Sequence, residues 1–122
     1  MKSRDTLIRL KRFQAEEKRR RVRQIETMVA EFTRMAGDLD REIVNEERRS
    51  GISDPGHFAY PTYARAAIAR RDNLKRSIGE LTAQIEEAKA AEQEAQAELL
   101  KYESLEGRER ALERALESAA RL

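Results

Sequence analysis

The sequence predicts an all-α protein, a two-helix antiparallel coiled-coil hairpin, and three observations carry that reading. Both prolines and two of the five glycines fall in the single stretch SGISDPGHFAYPT, residues 50–62. On either side of it apolar residues recur at alternating steps of three and four, the period of a heptad seam. Charged residues make up 39% of the chain and aromatics 5%, with Ala, Glu, Leu, Lys and Arg dominant, which is the composition of long helices rather than of a thick core. The expected layout is one coiled-coil hairpin over residues 1–122, with helix 3–49, turn 50–61 and helix 62–120. Two helices bury only a seam, so a partner that clamps one end would add materially to stability.

The first helix can begin almost at once, because Ser3 offers an N-cap and Asp5 a first-turn acid. Leu7, Ile8, Leu10 and Phe13 form its first apolar patch, after which QAEEKRRR leaves Ala15 as the one apolar member of the stripe. This part of the seam is expected to be weak or partnered by something else. From Val22 the pattern is regular: Val22, Ile25, Val29, Phe32, Ala36, Leu39 and Ile43 keep a/d spacing. Met28 and Met35 widen that face, and Gly37 costs about 1 kcal/mol against Ala in a helix interior. The helix is expected to run to Arg49, roughly 70 Å of rod, with Gly51 available as a left-handed cap.

In the turn, Asp54 can cap with its carboxylate, Pro55 fixes φ and Gly56 allows positive φ. Pro61 suits the first position of a new helix, with Thr62 as a capping candidate. The second seam then reads Ala67, Leu74, Ile78, Leu81, Ile85, Ala88, Ala95, Leu99 and Tyr102, interrupted by Arg71 and Glu92. Its alanines let backbones approach closely while burying little. Beyond Tyr102, the residues Leu105, Leu112, Leu116 and Ala119 stand three positions out of phase, which predicts a stammer around Gly107. One register, with paired numbers summing to roughly 113, joins Leu39 to Leu74, Phe32 to Leu81, Val29 to Ile85, Ile25 to Ala88 and Ala15 to Leu99. It also sets Arg4 beside Glu109, so that Leu112 and Leu116 overhang without a partner in the chain.

Net charge is only +2, but it is unevenly placed. Residues 1–24 hold roughly +7 and residues 80–122 roughly −5. An antiparallel fold lays these segments opposite each other, whereas a parallel pair of copies would stack like on like. The basic run KRRRVR, Lys18 to Arg23, reads as a solvated face toward the acidic second helix, as a protein-binding patch, or as a nucleic-acid or acidic-lipid site. Stacking aromatics are missing from it, which argues against single-stranded nucleic acid. Phe58, Tyr60 and Tyr63 read either as a self-packed plug over the hairpin end or as a docking surface.

The same residues speak against enzyme chemistry. His57 is the sole histidine and there is no cysteine, so no nitrogen and sulfur set closes a transition-metal site and His57 reads as a turn residue. Carboxylates on a solvated two-helix rod are not desolvated enough to tune a catalytic pKa, and none of the glycines belongs to a phosphate loop. No catalytic, cofactor or metal residues are expected, and no small-molecule substrate. No apolar h-region follows the basic N-terminus, and no run approaches the roughly 18 to 20 apolar residues that span a bilayer. A soluble cytoplasmic protein is expected.

The opening KSRDTLIRLKRFQAEEKRRRV, the HFAYPT turn and the RRDNL of the second helix resemble the alphaproteobacterial form of the FliJ family of flagellar export proteins. The resemblance covers the chain to about Glu106 and is carried by LIRLKRF and HFAYP; the Ala/Glu-rich remainder would match any coiled coil. It implies an antiparallel coiled coil similar to the central stalk of rotary ATP synthases, in the cytoplasm at the flagellar base. The implied partners are the hexameric export ATPase FliI, the membrane export gate FlhA and export chaperones, with membrane contact only through the gate. Carried onto this chain, Leu7, Arg9, Leu10, Arg12 and Phe13, with Leu112 and Leu116, belong to the ATPase-facing tip, and Phe58, Tyr60 and Tyr63 to the gate-facing end. The rival readings are a general coiled-coil adaptor or chaperone and a nucleic-acid binder using the basic run.

Overall fold

A computed structural model describes residues 2–121. The two helices, α1 (Lys2–Ser50) and α2 (Thr62–Ala120), pack against each other as an all-α hairpin with no strand among the described residues. Asp5 lies in the first turn of α1 and Arg48 and Arg49 in its last, each opposite in sign to the helix end it sits on. Packing gathers into two compact units, a terminal unit of Met1–Val22 with Glu87–Leu122 and a turn unit of Arg23–Glu86.

In the turn unit, Leu39, Ile43 and Ala67 form a buried cluster against which Ile68 and Leu74 pack. Ile25, Ala36, Ala64 and Leu81 are buried on the same heptad steps, and Phe32 is half-buried. Arg71 occupies a seam position and keeps it by pairing: its guanidinium donates to Asp40 Oδ1 of α1 at 3.0 Å and to Asp72 Oδ1 at 3.2 Å. The Asp40 hydrogen bond is the chief reason that its pKa lies above the ordinary arginine value.

Local chemistry closes α1 and reopens the chain as α2. Gly51 takes φ +72 and its N–H donates to the Glu47 carbonyl at 2.9 Å, a left-handed cap that a side chain would strain. Asp54 Oδ1 accepts from Gly56 N–H at 2.9 Å, the Asx turn that its sequence predicts. Pro61 stands one position before the place its sequence suggests. Its carbonyl accepts from Arg65 N–H at 3.1 Å while α2 starts at Thr62, so Pro61 is the N-cap and Thr62 the first helical residue.

The terminal unit has a thinner seam. Ile8, Ala15 and Leu99 are its buried cluster, with Ala95 and Tyr102 packed against it. Cations hold the neighbouring levels: Lys11 Nζ lies 3.7 Å from Glu98 and 5.3 Å from the centroid of the Tyr102 ring. Arg12 pairs with Glu103 at 3.6 Å, and Arg4 with Glu109, the last as the sequence register requires. No stammer follows Tyr102. The half-buried positions there are Glu106 and Glu109, four and seven residues on, so the heptad phase continues unbroken. The reason is that α1 offers Arg4 at this level, and an ion pair rather than a leucine sets the phase.

Two consequences can be measured. Ile25 is the largest fully buried side chain, so Ile25→Ala should cost roughly 2 kcal/mol or more, read as a lower thermal midpoint by circular dichroism. A Cβ added at Gly79 meets nothing within 4 Å, so Gly79→Ala should raise stability by about 1 kcal/mol through helix propensity alone.

Candidate docking surfaces

A groove of about 880 Å³ opens along the terminal unit where the seam is thinnest. Phe13, Gln14, Glu17 and Lys18 of α1 form one wall; Glu94, Glu98 and Lys101 of α2 form the other, with Ala91 and Ala95 between them. Its physical cause lies in the alanines, whose short side chains leave space that leucines would fill. Phe13 stands in this groove 59% exposed.

The residues singled out for the terminal tip divide between faces. Leu10 lies three residues before Phe13 on the groove side of α1 and is exposed; Leu7, a turn earlier, is half-buried. On α2 the wall of Glu94, Glu98 and Lys101 continues at helical spacing through Leu105 to Leu112 and Leu116, all three exposed. Residues 111–121 are exposed throughout, in keeping with the expected overhang. Arg9, four residues before Phe13 and so its neighbour on the helix surface, is exposed without an ion pair among the described residues, and Arg12 is committed to Glu103. In the basic run, Arg20 pairs with Glu17 within its own helix. Arg19, Arg21 and Arg23 are exposed, and among the described residues none has an ion pair. The groove walls on α2 were not singled out from the sequence; the alanine run in the second seam was the available signal.

At the turn, the three aromatics separate into plug and surface. Tyr60 is 4% exposed, donates its hydroxyl to Glu47 Oε2 at 2.7 Å and lies under the Arg65 guanidinium, 5.7 Å from its ring centroid. It is structural, and offers little to a docking partner. Arg65 also donates to the Pro55 carbonyl at 3.2 Å, tying the turn to α2. Tyr63 is more than half exposed and donates to Glu42 Oε2 at 3.0 Å. Phe58 is 95% exposed, touched by His57, whose ring stacks on it at 4.7 Å.

Among the described residues, no group of three or more His, Cys, Asp or Glu is placed to hold a metal ion, and no helix is long and apolar enough to cross a membrane. No family model, curated protein or solved structure matches this chain.

The tyrosines provide a pH test. Burial, then the Glu47 hydrogen bond, pushes Tyr60 above the ordinary value of 10.0; for Tyr63 the Glu42 hydrogen bond is the main cause of a rise. A raised folded-state pKa contributes stability that is complete below the unfolded value and is lost as pH climbs through the raised one. Alkaline titration followed at 295 nm should therefore show delayed ionisation. Tyr60→Phe should remove the part of the delay due to Tyr60 and lower the thermal midpoint at neutral pH.

Proposed function

We propose that this chain is a non-enzymatic stalk component of the flagellar type III protein export apparatus. In this reading the terminal unit docks on the hexameric export ATPase, the turn faces the membrane export gate, and the chain also handles export chaperones. The likeness of LIRLKRF and HFAYP to the FliJ family supports it, and so does the distribution of exposed apolar side chains. The observation that carries it is the segment beyond Arg110, where Leu112 and Leu116 are exposed on a helix that the first helix no longer covers. Leu10, Phe13 and Arg9 stand exposed on the same unit, and an apolar surface beside a free guanidinium suits a protein partner. At the turn, Phe58 is the aromatic anchor available to the gate.

Arg9→Glu with Arg12→Glu should abolish binding to the export ATPase, measured by pull-down with the purified ATPase. Far-UV circular dichroism checks that helicity persists when the Arg12–Glu103 pair is lost. Undiminished binding would reject this site. The second reading is a coiled-coil adaptor or chaperone with no ATPase link, favoured by apolar residues being exposed on both units; capture from cell extract of other helical proteins without the ATPase would select it.

A further inference from the structure

The groove on the terminal unit carries a pattern that a second copy of the same chain would match. Along the groove face of α2, Glu87 and Glu94 come first, and Lys101 and Arg108 follow at the same seven-residue spacing. Seven residues is two helical turns, so the four charges stand on one face over roughly 32 Å. Among the described residues none of the four has an ion pair within the chain, whereas the neighbouring Glu98, Glu103, Glu106 and Glu109 are all paired. One half of this face is acidic and the other basic, which is self-complementary when two copies run antiparallel.

We infer that two copies of the chain dock groove to groove about a two-fold axis at the level of Ala97 and Glu98. That axis brings Glu94 of one copy to Lys101 of the other and Glu87 to Arg108, each pair formed twice because the contact is isologous. The shape agrees with the charge. Arg12 pairing with Glu103 and Ala15 packing on Leu99 set Phe13 level with about Lys101. The axis therefore carries Phe13 to the level of Glu94 and Ala95 in the other copy, where alanines line the hollow. An exposed aromatic knob and an alanine-lined hole, offset along one groove by the same distance as the charges, are the two halves of one interface. The two observations are independent, since the charges belong to α2 and the knob to α1. The inference does not rest on the export reading.

Sedimentation equilibrium of the full chain, from low micromolar to about 1 mM, tests it. The expected result is a concentration-dependent dimer, weakened about tenfold or more by Phe13→Ala and by Lys101→Glu. Glu94→Lys should weaken it likewise. The double variant Glu94→Lys with Lys101→Glu should restore the dimer, as should mixing the two single variants, because both pairings are then opposite in charge. All these side chains are exposed, so circular dichroism should show unchanged helicity. A monomer throughout would overturn the inference and leave the groove to a foreign helix. A dimer indifferent to Phe13→Ala and Lys101→Glu would place the contact on another face, and failure of the double swap would reject the antiparallel register.

Discussion

The seam between the two helices is the constraint on which everything else depends, because a hairpin has nowhere else to bury apolar surface. Its composition changes along the chain. In the turn unit Ile25, Leu39, Ile43 and Leu81 give it an apolar interior, and the one arginine admitted, Arg71, is held by two carboxylates. In the terminal unit the buried members are Ile8, Ala15, Val22 and Leu99, and cations of α1 alternate with them. Each unit therefore has its own balance of dispersion and ionic contacts. Partly exposed ion pairs contribute only about 0–1 kcal/mol each, so the terminal unit specifies its register more than it stabilises it.

That weakness has a spatial result. Where alanine replaces leucine the helices leave a groove, and where ion pairs replace apolar contacts and then cease the leucines of α2 are left outside. Leu105 is exposed because the seam positions beside it are Tyr102, Glu106 and Glu109, with Arg4 paired to Glu109. Leu112 and Leu116 are exposed because they lie beyond that last pair, where α1 no longer covers α2. An exposed apolar stripe that begins where the intramolecular seam stops is available to bind another helix. The turn solves the opposite problem, since Tyr60, Arg65 and Pro55 close it with internal contacts and leave Phe58 outside.

Much of this was legible from residue order alone. The punctuation of residues 50–62, with Gly51 as cap and Asp54 as turn former, located the reversal, and three/four spacing named most of the buried positions. The register that paired Arg4 with Glu109 followed from counting, because two antiparallel heptad seams meet in few ways. Side-chain-specific outcomes were not legible. Nothing in HFAYP distinguishes a tyrosine that plugs the turn from a phenylalanine that leaves it, since the difference lies in whether Glu47 and Arg65 reach the ring.

An all-α hairpin, its point of reversal and the charge opposition between its halves follow from residue order, since period, turn chemistry and charge placement are local properties. That the heptad phase runs on past Tyr102, that Tyr60 is interior and that a groove opens beside Phe13 emerge from the packing of one helix on the other. Each depends on which group stands across the seam at a given level, and a cation there draws a carboxylate inward and turns the neighbouring Leu105 out.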